Sequence, residues 1–130
     1  MTYVDSSAVL AHILTEDRRP PPALWKEKLV SSRLLEYEVW VRLHARGMAE
    51  THGGPAERII GGTDLLELSP PVLARALRPF PSPLRTLDAL HLASMAHLRE
   101  SGERVALASY DRRMATAAET MGFPLYDLGA

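Results

Sequence analysis

The chain contains no cysteine. Disulfides, zinc–thiolate centres and thiol catalysis are therefore excluded. Lysine is nearly absent too: Lys26 and Lys28 are the two, and the other Lys/Arg positions are all arginine. Arginine forks onto phosphate better than lysine does, although genome composition or thermal adaptation produces the same bias. The formal net charge is only −1, so the chain as a whole does not attract nucleic acid strongly. No apolar run approaches the roughly 20 residues that cross a bilayer. Met1-Thr2-Tyr3-Val4-Asp5 lacks the basic stretch and apolar core of a signal peptide, and a cytoplasmic protein without a membrane partner is expected. Gly53-Gly54 and Gly61-Gly62 fit neither dinucleotide nor P-loop spacing and read as turns. There is no internal repeat and no low-complexity tail.

What is present suits a folded domain. The 130 residues are 46% hydrophobic, enough for one domain, residues 1–130, with its own core. Residues 2–4 read as a buried strand, and Asp5-Ser6-Ser7 as the cap of a short helix carrying Val9, Leu10, Ile13 and Leu14. Helices are expected over 23–29, 34–46, 49–60, from 70 to near 79, 84–99 and 111–121. Strands are expected over 30–32, 65–68 and 105–108, with a last short one over 124–126. Strands alternating with helices indicate an α/β sandwich around a mostly parallel sheet. Ligands of such sheets bind beyond the carboxyl ends of the strands, where this pattern puts Asp5 and Asp111.

Four acids stand in core-forming segments: Asp5, Glu38, Asp88 and Asp111. On a helical wheel Leu84, Leu92 and Met95 surround the direction of Asp88, with His91 beside it. An unpaired carboxylate in a helix so apolar costs several kcal/mol, on the order of the price of any buried charge, unless a cation or a helix N-terminus meets it. A pair with Arg85, or the helix dipole, is the plainer alternative. Asp5 and Asp111 each follow a strand and open a helix, as ordinary N-caps do. Glu38 could simply pair with Arg42 four residues on, and Glu36 competes with it for an inward direction. The five histidines form no ligand pattern, and His91 reads as a core or supporting residue. If the four acids converge, they suit Mg²⁺ or Mn²⁺, and metal-assisted hydrolysis of a phosphodiester is the natural chemistry.

Four segments, in order along the chain, resemble those of PIN-domain ribonucleases, and in particular VapC-type toxins of type II toxin–antitoxin pairs. They are Tyr3-Val4-Asp5-Ser6-Ser7-Ala8, the stretch from Ser32 to Val39, the stretch from Leu84 to Ala93, and Ala108 to Met114. In the second, a serine precedes the acid by six residues, which selects Glu38 over Glu36. The resemblance implies a PIN-like α/β/α sandwich and an Mg²⁺- or Mn²⁺-dependent endoribonuclease. Asp5, Glu38, Asp88 and Asp111 would be the metal-binding catalytic acids, with Ser6 and Ser109 supporting them. It also implies a VapB-like antitoxin that covers the site, and a homodimer. Arg85, Arg112 and Arg113 adjoin the acidic segments and are candidate RNA phosphate contacts. A single-stranded RNA or tRNA loop is the favoured substrate. The alternatives are a PIN-like nuclease in RNA processing or on structured DNA, outside any toxin pair, and a partner-binding PIN module whose acids are idle.

Overall fold

The computed structural model describes residues 1–15 and 17–129. Four short strands, β1 (Thr2–Val4), β2 (Leu29–Ser32), β3 (Asp64–Leu66) and β4 (Ala106–Ala108), form one parallel sheet in the order β3-β2-β1-β4. Parallel neighbours need crossovers, and helices supply them: α1 (Ser6–Ile13), α2 (Leu34–Ala45), α3 (Ala49–Gly61), α4 (Pro70–Ala76), α5 (Thr86–Glu100) and α6 (Arg112–Thr120).

Side-chain alternation along the strands divides the core in two. Val4, Leu29 and Ala108 face one layer, built from α1, α2 and α3 through Val9, Leu35, Val39, Leu43 and Ile60. Tyr3, Val30 and Leu107 face the other, built from α5 and α6 through Leu92, Met95, Met114 and Ala117. This is the expected α/β/α sandwich. A parallel sheet covered on both faces needs strands that are apolar on both sides, which is why β1 and β2 are buried at every position.

The expected elements shift in three places, each for a local reason. The segment predicted as a helix over 23–29 makes only a 3₁₀ turn, Pro22–Lys26, because Glu27 turns extended (φ −74°, ψ 162°) to feed β2. The strand predicted over 124–126 is reduced to one parallel bridge between Leu107 and Leu125. Most consequential for the site, α5 begins at Thr86 rather than Leu84. Pro81 and Pro83 disfavour helix upstream, and Arg85 is extended (φ −71°, ψ 158°). Asp88 therefore lies in the first turn of α5. The helix is buried on all sides only from His91 to Ala96, not along its whole length.

Candidate active site

β1 lies between β2 and β4, so Asp5, the residue after it, sits at the middle of the sheet's carboxyl edge. It caps α1, and both of its oxygens are held. Oδ1 accepts from Ser7 Oγ at 2.6 Å and Ala8 N at 3.3 Å; Oδ2 accepts from Ser109 Oγ at 2.6 Å. The residue is only 5% exposed. Burial pushes its carboxyl above the usual range, and the Ser109 and Ser7 hydroxyls oppose that rise.

The neighbouring strand β4 delivers Asp111, which caps α6: Oδ1 accepts from Arg113 N at 3.0 Å and Met114 N at 3.2 Å. Two hydroxyls tie the two strand ends together. Asp111 N donates to Ser109 Oγ at 2.9 Å, and Tyr110 N donates to Ser7 Oγ at 2.9 Å. Both caps expected from the sequence are thus real caps, and both are also joined to one polar network.

Asp88 enters from α5. Its Oδ2 is buried and has no hydrogen-bond partner among the described residues. Arg85 Nε lies 3.8 Å away, but the arginine is largely exposed, so the pair is weak. The helix N-terminus offers partial compensation. Burial raises the Asp88 carboxyl above its usual range; the charge of Asp111 adds to this, Arg85 and His91 oppose it, and Glu38 adds a smaller push.

Glu38 comes from the second turn of α2. Its partner is His91 rather than Arg42: His91 Nε2 lies 2.5 Å from Oε1, while Ser6 Oγ donates to Oε2 at 3.5 Å. Glu36 pairs instead with Arg33 at 3.8 Å, on a half-exposed surface.

All four acids line a single cavity of about 550 Å³, with Ser6, Arg85 and His91 on its walls. Arg112 and Arg113 do not line it; they are exposed in the first turn of α6. Sequence reasoning missed Tyr3 as a polar partner of the site, Ser7 as a bridge, and Arg18 and Arg42 on the cavity wall. The serine pair Ser6-Ser7 and the four-residue spacing of Glu38 and Arg42 were the signals available for these. The Arg18 guanidinium lies 4.8 Å from the centre of the Tyr110 ring, a contact between residues 92 positions apart that no local pattern announces. A larger groove of about 780 Å³ runs between α4 and α5, but its walls are mostly apolar and hold no acid.

The donor set is hard oxygen throughout, which matches Mg²⁺ or Mn²⁺. A buried carboxylate oxygen without a hydrogen-bond donor is the kind of atom such an ion satisfies. Among the described residues, no three acids or histidines already stand close enough to form a ready coordination sphere. Side-chain movement, or waters retained by the ion, would have to complete one. Among the described residues, no helix is long and apolar enough to cross a membrane.

The PIN domain family matches residues 2–120. Ribonuclease VapC47 of Mycobacterium tuberculosis is 30% identical over 137 aligned positions, covering 100% of this chain and 98% of that protein. Ribonuclease VapC46 of the same species is 35% identical, covering 92% of each. The crystal structure of M. tuberculosis VapC20, described as a sarcin–ricin loop cleaving toxin, superposes with a TM-score of 0.68 over 95% of this chain and 96% of that one. At 19% identity that likeness speaks for the fold. With the family match spanning nearly the whole chain, this protein belongs to the PIN-domain family.

Proposed function

We propose that this chain is a metal-dependent endoribonuclease, the toxin of a toxin–antitoxin pair, and that Asp5, Glu38, Asp88 and Asp111 form its catalytic, metal-binding site. One observation carries the reading. Acids from four separate elements line one cavity at the carboxyl edge of the sheet, and one of them keeps a buried oxygen unsatisfied. The ribonuclease names of the full-length relatives support RNA as the substrate. An RNA-cleaving toxin of this kind works in the cytoplasm, is held in check by a VapB-like antitoxin over the cavity, and acts as a homodimer.

When bound, Mg²⁺ or Mn²⁺ supplies positive charge to a phosphodiester and makes water more acidic. The protein's own groups hold and orient. Ser7, Ser109 and the Ala8 amide fix both oxygens of Asp5. Ser6 steers Glu38, and Ser109 also anchors the Asp111 backbone. Arg85, which lines the cavity, would meet an RNA phosphate, with Arg112 and Arg113 as outer contacts. Arg18 and Arg42 add cationic charge to the same wall. The local arginines thereby offset a chain whose net charge is −1.

The test is incubation of the purified chain with total RNA and Mn²⁺, then with a chelator. Discrete cleavage is expected with metal, and loss of roughly 100-fold or more in Asp5→Asn and Asp88→Asn. Glu36→Gln should cleave like wild type. Cleavage that survives both the chelator and the two substitutions would defeat the reading.

A further inference from the structure

A line of polar contacts runs from the middle of the core to the cavity. The Tyr3 hydroxyl on β1 lies 2.6 Å from His91 Nδ1, and His91 Nε2 lies 2.5 Å from Glu38 Oε1. The Tyr3 and His91 rings meet edge to face, centroids 5.7 Å apart at 82°. Tyr3 is 0% exposed and His91 1%. The packing around the rings is mainly apolar, with Tyr3 in the cluster of Val30, Leu92 and Met95, and the buried Ser31 and Ser94 lie beside its hydroxyl. A phenylalanine and a leucine would fill this space without the desolvation that a phenol and an imidazole incur. The polar atoms therefore need a reason, and the contacts lead to Glu38. Tyr3 and the buried turn of α5 pack on one face of the sheet, whereas α2, which carries Glu38, packs on the other. The contact at His91 joins the two layers over the sheet edge.

A neutral imidazole beside an ionised Glu38 has one arrangement of donors and acceptors. An ionised carboxylate only accepts hydrogen bonds, so His91 Nε2 carries the hydrogen toward Glu38. In the neutral ring Nδ1 then accepts, and the Tyr3 hydroxyl donates to it. The nearby hydroxyls have other acceptors: Ser31 Oγ donates to the Val4 carbonyl at 2.6 Å and Ser94 Oγ to the Leu90 carbonyl at 2.9 Å. With Oε1 held, Glu38 is left with Oε2, whose one side-chain hydrogen bond among the described residues, from Ser6 Oγ, is long at 3.5 Å.

We infer that Tyr3 and His91 are positioning residues: they lock Glu38 so that it offers one oxygen, Oε2, to the divalent cation. This rests on the metal-site reading above. His91 acts through Glu38 and is not itself a ligand, because its Nε2 is already engaged. Outer partners of metal-binding carboxylates act in this way elsewhere, and their loss weakens metal binding roughly 10–100-fold.

The test measures Mn²⁺ affinity of the full chain by titration calorimetry without RNA, with folding checked by circular dichroism. His91→Leu is expected to bind Mn²⁺ roughly 10–100-fold more weakly. Tyr3→Phe, which removes one oxygen atom, should bind at least several-fold more weakly. His91→Gln, which keeps an N–H donor, should recover part of the loss. The deciding variant combines Glu38→Gln with His91→Leu. Residues acting through one another are non-additive, so the double variant should match Glu38→Gln alone within about twofold. Losses that multiply would show a general structural role and overturn the proposal. So would wild-type affinity in folded His91→Leu while Glu38→Gln is impaired. Wild-type affinity in Glu38→Gln would instead remove the ligand role of Glu38, and the proposal with it. If His91→Leu does not fold, Tyr3→Phe alone and combined with Glu38→Gln decides by the same comparison.

Discussion

Replacing Asp88 by asparagine should stabilise the metal-free protein and destabilise it relative to wild type once Mn²⁺ is present. The buried Oδ2 of Asp88 has no hydrogen-bond partner among the described residues, and Asp111 and Glu38 repel its charge. Leaving a buried polar group unsatisfied costs about 1–3 kcal/mol and more when it is charged, and asparagine, still polar at that position, relieves only the charged excess. Asparagine removes the charge but forfeits a first-turn dipole interaction of about 0.3–1 kcal/mol. It also loses a pair with a largely exposed arginine, worth about 0–1 kcal/mol. The balance is a gain of about 1 kcal/mol, or roughly 3–5 °C in melting temperature for a chain of this length. Metal reverses the order. At free Mn²⁺ about 100 times its dissociation constant, wild type gains about 2.7 kcal/mol, and a variant without the ligand gains far less. Differential scanning calorimetry of both proteins, in chelator and in Mn²⁺, should show the two melting temperatures crossing. A variant that melts at or below wild type in chelator refutes the account of the orphaned oxygen. An equal Mn²⁺ shift in both proteins refutes the ligand role.

Two further outcomes follow from the same network. Asp5 and Asp88 have carboxyls raised by burial, so the folded state binds their protons more tightly than the unfolded state does. Their contribution to stability is present at low pH and is lost as pH rises through their folded-state values; metal-free protein should therefore melt higher as pH falls from neutral toward the ordinary carboxylate range, and the trend should weaken in Asp5→Asn and Asp88→Asn. Ser109→Ala removes the donor to Asp5 Oδ2 and the acceptor of Asp111 N, and should lower stability by about 1–3 kcal/mol, read by chemical denaturation; a change below about 0.5 kcal/mol, as for an ordinary surface substitution, would mean that water replaces both bonds.

Much of the site was legible because its signals are local. A strand followed by Asp and Ser reads as a cap, and Asp5 and Asp111 are caps. An acid in an apolar helix stands out, and Asp88 did. Its exact setting was less legible: the wheel implied a helix buried from its start, whereas the two prolines delay α5 and leave Asp88 in a half-buried first turn. The pair Glu36 and Glu38 could not be separated by periodicity, since their directions differ by about 200° and both border apolar faces. Similarity to a known segment chose Glu38, and the fold places Glu38 on the cavity and Glu36 beside Arg33. The helix expected over 23–29 is a 3₁₀ turn over Pro22–Lys26, because a short apolar stretch after prolines carries no length information.

By itself, then, the sequence determined most of the elements, their alternation and the unusual placement of Asp5, Asp88 and Asp111, each through periodicity, capping chemistry or the cost of burying charge within a few residues. Resemblance to a known family, not any of these, selected Glu38 over Glu36. Only the tertiary structure decided which groups meet. Tyr3 and His91 are 88 residues apart, His91 and Glu38 are 53 apart, and Ser109 and Asp5 are 104 apart. Those contacts exist because parallel pairing brings the carboxyl ends of β1 and β4 side by side and lets helices from opposite faces lean over the same edge. Local sequence specifies that a carboxylate is buried; the packing of the layers specifies what it touches.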